Sequence, residues 1–306
     1  MKPIKKISLL VNPFSGNGRG DEIFEQVRIA LHSDASLKER VIYLEKTLPM
    51  DDPGLPYERM FHESDIVLIA GGDGTVHHVV NMVKDYSFKG SLAIYPLGTG
   101  NDLASALGNM EPDIVEFIRK IIDEPKTAEL DIFSLNSDLF FVSFASFGGD
   151  ASVLSQYERL CNKLYGTKAY RIPYIKYLLY FIPAVKEMLF RSHNAREKSE
   201  SKPAAAIIVN NLKTYGGGCV FDTESSMSDG KPEIARFFSK LAYLKLIATR
   251  TGLLSPSHDT VTMETPFTLE FDSDVPVQVA GEDYSGYFSG CNRFTVAYEG
   301  KIKVCI

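Results

Sequence analysis

Three short glycine-rich segments hold the residue types in this sequence that could bind a phosphate group. They occupy residues 12–20 (NPFSGNGRG), 71–75 (GGDGT) and 97–102 (LGTGND), and each follows an apolar run. Glycine allows a backbone to approach a phosphate closely. A helix that follows such a turn directs N–H groups and its positive dipole end at an anion. One glycine turn would be weak evidence, because turns need glycine anyway, but three of them predict a phosphate-binding pocket.

The apolar runs before these segments predict the sheet that must hold them. Residues 7–11, 65–70 and 91–95 are nearly continuous apolar runs, a further strand pattern covers 40–44, and helical patterns separate them. Strands that alternate with helices predict a parallel sheet in an α/β domain. Ligands of open α/β sheets bind outside the carboxyl ends of the strands. We therefore expect all three segments at one edge of the sheet.

Acidic side chains within the segments predict a metal ion beside the phosphates. Asp73 lies in the middle of the second segment, and Asp102 ends the third. A bare carboxylate would repel a triphosphate, whereas Mg²⁺ is held by one or two carboxylates together with substrate phosphates. Asp102 would serve the same ion or cap the following helix. Thr75 and Thr99 could donate hydroxyls to phosphate or cap helices, and neither a Walker A motif nor a dinucleotide fingerprint is present.

The pattern changes after residue 125. Short apolar runs bounded by turns follow, and they include residues 139–145, 293–297 and 302–305. Such runs predict a mostly antiparallel β domain. Helical patterns between residues 151 and 190 interrupt it. The second half of the chain is therefore expected to be a β domain with a helical insertion.

This change predicts two domains. The first is a nucleotide-binding α/β domain with a parallel sheet over residues 1–128, and the second is the β domain over residues 129–292. Residues 293–306 are expected to pack back on the first domain. A length of 306 residues suits two domains, since a domain has roughly 100–200 residues.

Composition and charge exclude several classes of protein. The formal net charge is −6 and there is no long basic run, so nucleic acid is not an expected partner. The four cysteines are far apart in the sequence, and none forms a C-x-x-C pair. They predict buried thiols in a reducing cytosol rather than a disulfide framework or a zinc site.

No apolar segment predicts a membrane span. The longest one, residues 172–190, contains two prolines together with Lys176, Lys186 and Glu187, whereas a spanning helix needs about 20 mostly apolar residues. The apolar run after the basic first residues is short and ends at Asn12, which indicates a strand rather than a signal peptide. We therefore expect a cytoplasmic protein, with contact to a membrane surface left open.

The motifs, taken together, resemble those of a known family. Asn12-Pro-Phe-Ser-Gly16, Gly71-Gly-Asp-Gly-Thr75 and Gly98-Thr-Gly-Asn-Asp102, in that order, look like the catalytic domain of the diacylglycerol kinase and sphingosine kinase superfamily, and of its compact bacterial lipid kinases. Later pieces that agree are Leu130-Asp131, Phe147-Gly-Gly-Asp150, Tyr215-Gly-Gly-Gly218, Asp229-Gly230 and Gly281-Glu282. The resemblance spans nearly the whole chain, although the second motif alone is shared with NAD kinases.

The resemblance implies an α/β domain of the NAD kinase and diacylglycerol kinase type, followed by a β-sandwich domain that takes the lipid substrate. It also implies ATP and Mg²⁺ as cofactors. Transferred residue by residue, the positions expected to bind ATP are Asn12, Pro13, Phe14, Ser15, Gly16, Thr47, Gly72, Asp73, Gly74, Thr75, Thr99, Asn101 and Asp102.

The same resemblance assigns catalytic and metal residues. Glu282 would be the general base that takes the proton from the substrate hydroxyl, with Asp73 as the other catalytic residue. A second Mg²⁺ would be held by Asp229 and by backbone carbonyls near Ser226 and Lys231, and the metal assignment also includes Asp131. Without the resemblance, Glu282 would be read as a surface turn residue and Asp229 as part of a plain Ser-Asp-Gly turn.

Besides Glu233, which stands where the family has an aspartate after its Asp-Gly pair, two positions depart from the family pattern. Ala280 stands where the family has an aspartate two residues before the catalytic glutamate, and His78 stands where it has a glutamate. A missing carboxylate at position 280 removes a partner from the metal network. It therefore puts in question the catalytic efficiency and the identity of the acceptor.

The leading hypothesis is a lipid kinase that phosphorylates a diacylglycerol-like hydroxyl at a membrane surface, with the protein peripheral to its inner face. Residues 157–190 are rich in apolar and aromatic side chains interspersed with Lys and Arg, which suits a lipid surface but equally suits two helices packed on the β domain. The alternatives are a small-molecule kinase of the NAD kinase type and a weakly active nucleotide- or lipid-binding module. A homodimer is compatible with the sequence, which does not determine the oligomeric state.

Overall fold

The computed structural model describes residues 5–47, 57–85, 88–98, 100–124, 126–164, 167, 175–190, 194–252, 254–255 and 257–306. The chain forms two compact units. Unit 1 comprises Met1–Ile132 and Gly300–Ile306, and unit 2 comprises Phe133–Glu299. The domain boundary predicted at residue 128 stays a prediction.

Unit 1 is built on parallel strands. Its strands are β1 (Ile7–Val11), β2 (Val41–Lys46), β3 (Ile66–Gly71) and β4 (Ser91–Pro96), in the spatial order β2-β1-β3-β4. The last strand of the chain, β16 (Arg293–Cys305), pairs in parallel with β4 through Lys303 and Val304. The helices of unit 1 are α1 (Ser15–Ser33), α2 (Ala35–Arg40), α3 (Tyr57–Glu63), α4 (Asp73–Asp85), α5 (Asp102–Ala106) and α6 (Ile114–Asp123).

The core of unit 1 follows from its apolar pattern. Every residue of β1 and β3 is buried, as expected for parallel strands covered on both faces. Helix α6 begins at the cap of Asp113, whose carboxylate accepts the N–H groups of Val115 and Glu116. Its buried apolar side chains recur at helical spacing, and each contributes roughly 1.5–3 kcal/mol on burial.

In the residues that the structure describes, unit 2 contains antiparallel strands and three helices. The strands that lie wholly or partly in it, besides β16, are β5 (Thr127–Leu135), β6 (Leu139–Phe141), β7 (Phe144–Gly148), β8 (Ala206–Asn210), β9 (Thr214–Tyr215), β10 (Cys219–Val220), β11 (Glu233–Phe237), β12 (Thr260–Thr262), β13 (Phe267–Glu270), β14 (Val277–Val279) and β15 (Glu282–Asp283). Its helices are α7 (Gly149–Leu164), α8 (Ile175–Phe190) and α9 (Lys240–Thr249). One sheet has the order β12-β11-β8-β7-β14-β15, and all its pairings are antiparallel.

Alternation along the strands of unit 2 explains its layers. Ile207 and Val209 pack in one apolar core with Phe133 and Phe294, which come from the strands β5 and β16. Their neighbour Ile208 points to the opposite face and packs against helix α9. The sheet is thus covered by other strands on one face and by a helix on the other. The predicted fold class, an α/β unit followed by an antiparallel β-sandwich with inserted helices, is confirmed.

Three local predictions need correction. Helix α1 begins at Ser15, so most of the first glycine-rich segment is helix rather than turn. The single strand predicted over residues 139–145 is two strands, because β6 pairs with β5 while β7 pairs with β8. The two strands predicted at 293–297 and 302–305 are one continuous strand, which runs through Gly300 at a φ of 114° that glycine adopts readily. In the part of the chain that the structure describes, no helix is both long and apolar enough to cross a bilayer.

Candidate active site

The three glycine-rich segments meet at the carboxyl ends of β1, β3 and β4, as predicted from their positions. The backbone N–H of Asn12 donates to the carbonyl of Ala70 at 2.9 Å, and its side-chain Nδ2 donates to Thr75 Oγ1 at 2.8 Å. The N–H of Leu97 donates to the carbonyl of Gly71 at 2.9 Å. The first segment is thus bonded to the second, and the second to the third.

Gly72 and Gly98 provide the closest approach between two of the segments. A Cβ added to Gly98 would lie 2.6 Å from the Cα of Gly72, and one added to Gly72 would lie 3.0 Å from the Cα of Gly98. Asn101 closes the third segment: its Oδ1 accepts the N–H of Gly98 at 2.7 Å, and its Nδ2 donates to the Gly98 carbonyl at 2.9 Å. The two glycines therefore set the spacing between these segments.

We expect Gly98→Ala to separate the second and third segments. Its methyl group would meet backbone rather than a mobile side chain, so the loss should be about 1–3 kcal/mol of stability and at least about tenfold in nucleotide affinity. Thermal unfolding and an ATP titration measure the two effects. Gly286→Ala is the matched control, because a Cβ there would meet nothing within 4 Å. Equal behaviour of the two variants would show that the contact does not shape the site.

Asp73 joins the second segment to the third through its carboxylate. Its two oxygens accept the backbone N–H groups of Asp102 at 3.2 Å and Leu103 at 3.3 Å, at the start of α5. Burial raises the pKa of Asp73 to about 6, the charge of Asp102 adds to that rise, and the N–H bonds oppose it. Two acidic side chains are thus brought close together at one edge of the sheet.

The carboxylates of Asp73 and Asp102 suit a magnesium ion whose coordination shell would be completed by nucleotide phosphates. Mg²⁺ needs only one or two carboxylates when phosphates and water complete its shell. The mutual repulsion that raises the pKa of Asp73 is what a divalent cation would relieve. Among the described residues, there is no group of three or more His, Cys, Asp or Glu side chains placed to hold a metal ion. A cage built by protein side chains alone is therefore not the arrangement found there.

The other residues expected at the ATP site fall around the same strand ends. Asn12 Oδ1 accepts the N–H of Phe14 at 3.0 Å, which shapes the entry into α1. The N–H of Thr47 donates to the Val11 carbonyl at 2.9 Å, so Thr47 lies beside the end of β1. Ser15 and Gly16 begin α1, and Pro13 lies two residues before it. Gly74 lies in the first turn of α4. Thr99 lies outside the described residues.

Glu282 lies in a tight hairpin of unit 2. It pairs with Val279 across β14 and β15, and the two residues between them have positive φ angles, 51° for Ala280 and 84° for Gly281. Two consecutive positive φ values describe the primed turn that suits a two-residue hairpin. Burial raises the pKa of Glu282 to about 7. The hairpin therefore presents a carboxylate that can accept a proton near neutral pH.

Asp150 is a buried anchor of the same unit, at the first turn of α7. Its carboxylate accepts hydrogen bonds from the hydroxyls of Ser146, Tyr215 and Tyr243 and from the side-chain amide of Gln278. Asp150 is fully buried, and these four hydrogen-bond donors offset the cost of removing its carboxylate from water. Because Gln278 belongs to β14, the network ties α7 to the strand that precedes Glu282. The sequence indicated Asp150 only through the family resemblance, and it did not identify the four donors that bond to it.

Glu158 is a second acidic residue near this hairpin that sequence reasoning missed. It lies on α7, the helix that packs against β14 and β15. Burial raises its pKa to about 7, and the charges of Glu282 and Asp283 add to the rise. No motif contains Glu158, so only the packing of α7 against the hairpin could have revealed it.

The residues assigned to a second metal ion form a local turn. Asp229 Oδ1 accepts the N–H of Lys231 at 3.0 Å, and Ser226 Oγ accepts the N–H of Ser228 at 3.4 Å. These bonds are typical of the plain turn that was the alternative reading of Asp229. Nearby, burial raises the pKa of Glu233 to about 7, with contributions from the charges of Asp222 and Asp229. Asp131 is fully buried and belongs to unit 1, whereas the other three belong to unit 2.

Comparison with known proteins tests the resemblance. Residues 6–135, which contain all three glycine-rich segments and Asp73, match the sequence model of the diacylglycerol kinase catalytic domain. The family resemblance inferred from the motifs is thereby confirmed for residues 6–135, and the motifs from Phe147 onwards lie outside the match.

Curated proteins similar to this chain are called diacylglycerol kinase. Those of Staphylococcus aureus strains JH9 and Newman are each 30% identical over 178 residues, which cover 55% of this chain and 51% of theirs. The chain thus spans about half the length of the curated relatives it matches. A crystal structure of a diacylglycerol kinase from Bacillus anthracis str. Sterne has a TM-score of 0.66 at 19% identity and covers 99% of this chain and 98% of its own. That likeness establishes the fold.

The two departures from the diacylglycerol kinase pattern have definite environments. Ala280 is buried within the apolar core of unit 2, at the tip of the hairpin that carries Glu282. His78 lies on α4, and burial lowers its pKa, so its imidazole is mainly neutral at pH 7. Neither side chain therefore supplies the negative charge that the family pattern places there.

Proposed function

We propose that this chain is an ATP-dependent lipid kinase that transfers the γ-phosphate of ATP to a diacylglycerol-like hydroxyl. The observation that carries the proposal is the joining of three glycine-rich segments at the carboxyl ends of β1, β3 and β4, with Asp73 bonded across two of them. The family match over residues 6–135 and the names of the Staphylococcus relatives support the same reaction class.

Unit 1 would bind the nucleotide. Asn12 and Thr75 are already held together by a side-chain hydrogen bond, and backbone N–H groups at the start of α1 and α4 suit phosphate oxygens. Bound Mg²⁺ would neutralise the phosphate charge, and Asp73 with Asp102 are the residues that would hold it. We propose that Asp229, with the backbone carbonyls near Ser226 and Lys231, would hold a second Mg²⁺. Asp131 is the remaining residue that we assign to metal binding.

Unit 2 would supply the base. Phosphoryl transfer depends mostly on positioning and charge stabilisation, with a carboxylate that orients the hydroxyl and takes its proton. Glu282 suits this role because burial raises its pKa to about 7, near the pH at which the protein would work. The hydrogen bonds that Gln278 and Tyr215 donate to Asp150 would keep the hairpin of Glu282 in one position.

A pH dependence follows from this assignment. A general base must be deprotonated, so kcat should be constant above about pH 8 and should fall as the pH drops through about 7, by roughly tenfold per pH unit below it. The measurement is kcat from pH 5.5 to 9 at saturating ATP and lipid. A profile that stays flat down to pH 5.5 would argue against Glu282 as the base.

The lipid acceptor and the membrane surface are part of the proposal. Phe181 and Ile182 on α8 and Leu241 on α9 are large apolar side chains that are about half exposed or more, and Lys186 and Lys245 on the same helices are exposed. Apolar and basic side chains side by side suit the surface of an anionic membrane. We propose a cytoplasmic protein that works at the inner face of the membrane.

One set of assays tests the proposed reaction. ADP release is measured with diacylglycerol, sphingosine, a polyprenol and NAD offered in turn. Turnover with diacylglycerol in mixed micelles supports the proposal, and turnover with NAD alone would replace it by a small-molecule kinase. If ATP binds but no acceptor is phosphorylated, the chain is better described as a nucleotide-binding module. The buried, uncharged Ala280, where the family has an aspartate, motivates this alternative. Removal of divalent cations with EDTA should abolish any turnover found, and Mg²⁺ should restore it.

A further inference from the structure

Helices α8 and α9 show the same pattern on their outer faces. Ile182 and Lys186 are four positions apart on α8, Leu241 and Lys245 are four positions apart on α9, and all four side chains are exposed. Residues at that spacing are neighbours on one side of a helix. An apolar side chain beside a lysine suits the surface of an anionic membrane. We call these four residues the outer face of α8 and α9.

The acidic residue of these two helices is not part of the outer face. Glu187 is the one Asp or Glu in the sequences of α8 and α9, and it is 1% exposed. Its Oε2 accepts hydrogen bonds from Ser152 Oγ and Gln156 Nε2 of α7, each at 3.1 Å. The exposed charges on both helices are therefore positive, which favours an anionic lipid over a neutral one.

The inner faces of the same helices carry two tyrosines that meet. Tyr180 precedes Ile182 by two positions, and Tyr243 follows Leu241 by two. Two positions turn a helix by about 200°, so each tyrosine lies nearly opposite an outer-face residue. The hydroxyl oxygens of the two tyrosines are 3.5 Å apart, and Tyr243 is fully buried. The two helices thus come together on their inner side.

The carboxylate of Asp150 joins α9 to the hairpin that carries Glu282. The hydroxyl of Tyr243 donates to Oδ1 of Asp150, and the side-chain amide of Gln278 donates to Oδ2. Gln278 belongs to β14, where the next residue, Val279, pairs with Glu282. Hydrogen bonds to a charged acceptor are stronger than those between neutral groups. One buried carboxylate therefore fastens both the helix and the hairpin.

We infer that Tyr243 is a positioning residue that holds the outer face of α8 and α9 in a fixed relation to Glu282. The inference rests on the proposed function, because it concerns how the lipid acceptor of that reaction reaches its base. A membrane that contains diacylglycerol would be bound by the outer face, and the acceptor hydroxyl must then meet the carboxylate of Glu282. Phosphoryl transfer depends on positioning, and a misplacement of about 1 Å can lower a rate about 100-fold. An acceptor dissolved in water does not depend on the outer face.

The Tyr243→Phe variant removes the hydroxyl and keeps the ring. We compare kcat for diacylglycerol in vesicles of equal parts phosphatidylglycerol and phosphatidylcholine with kcat for a short-chain diacylglycerol dissolved as monomers. The ratio of the first value to the second should fall by about tenfold. Tyr215→Phe is the matched control, because it removes a hydroxyl from the same Asp150 carboxylate but lies on β9, which carries none of the outer face. It should lower both values alike and leave the ratio as in the wild type.

Sedimentation with vesicles, without ATP, measures the outer face by itself. We expect the wild type to bind vesicles that contain phosphatidylglycerol about tenfold or more tightly than vesicles of phosphatidylcholine alone. Leu241→Ser should weaken that binding, whereas Tyr243→Phe should bind as the wild type does, because its hydroxyl is buried. A wild type that does not bind phosphatidylglycerol vesicles, or a Tyr243→Phe variant that loses binding, would overturn the inference.

Hydrogen exchange tests the link between α9 and the hairpin without turnover. Peptides that cover α9 and residues 277–285 are compared between the wild type and Tyr243→Phe, and both should exchange about threefold or more faster in the variant. Faster exchange in α9 alone would make Tyr243 a local anchor and overturn its positioning role. Thermal unfolding checks that the variant is folded. If it is not, Tyr180→Phe, which removes the hydroxyl beside Tyr243, should show the same changes to a smaller extent.

The outcomes separate the inference from the function on which it rests. Faster exchange in both peptides, in a protein that phosphorylates no acceptor, would overturn the proposed function and leave the link between α9 and the hairpin standing. An unchanged ratio of the two kcat values in an active, folded Tyr243→Phe variant would overturn the role of Tyr243 and leave the kinase assignment intact.

Discussion

Glu282→Gln should lower kcat by about 100- to 10,000-fold and leave the affinity for ATP within about twofold. The amide has nearly the shape of the carboxylate but cannot accept a proton, so the loss falls on the step in which the acceptor hydroxyl is deprotonated. That range corresponds to about 3–5 kcal/mol of transition-state stabilisation. The residues that we propose bind the nucleotide lie in unit 1, which this substitution does not touch.

The measurement for Glu282→Gln combines steady-state ADP release with an ATP titration of the same preparation. Glu124→Gln serves as control, because it makes the same chemical change at an exposed site. Since burial raises the pKa of Glu282 to about 7, replacing it by a neutral group should stabilise the fold or leave it unchanged at pH 8. Retained activity in a folded Glu282→Gln variant would refute its assignment as the base.

Asp73→Asn should reduce turnover by about 100-fold or more and weaken the dependence on Mg²⁺. The carboxylate has two roles, because it accepts the N–H groups of Asp102 and Leu103 and would hold the ion beside the phosphates. An asparagine keeps one acceptor oxygen and turns an NH₂ group towards the other N–H. The variant thus loses both the charge for the ion and one link between the second and third segments.

Titration of Mg²⁺ at fixed ATP measures the effect of Asp73→Asn, with thermal unfolding as a check on the fold. Asp123→Asn is the matched control, since its side chain is 66% exposed and its ion pair with Arg40 lies at 3.4 Å. We expect the control to behave as the wild type. An Asp73→Asn variant with unchanged Mg²⁺ dependence would place the ion elsewhere.

The architecture of unit 1, which we propose binds the nucleotide, was largely predictable from the sequence. Strands buried on both faces appear as continuous apolar runs, and the glycine-rich segments at their ends have a spacing that local chemistry explains. The order of strands in a parallel sheet then places the segments at one edge. The meeting of the three segments at one edge could therefore be predicted, whereas the hydrogen-bond partners of Asn12, Gly71 and Leu97 could not.

The second half was predictable only as a class. Alternation identified the strands, but not that residues 139–145 divide between two sheets or that β16 is one strand. Register and sheet membership depend on partners far along the chain, and these leave no local period. Helix α9 was missed because only one face contacts the sheet and its outer face is also partly apolar.

The sequence by itself determined the glycine-rich segments, their acidic residues and the two kinds of sheet, because these depend on residue type and short spacing. Only the tertiary structure decided which side chains support them. The amide of Gln278 reaches Asp150 across 128 positions of sequence, and Glu158 lies on a helix that packs against the hairpin of Glu282. Such contacts form because polar groups that become buried when surfaces pack must find hydrogen-bond partners there. The spacing of residues along the chain does not indicate which partners they find.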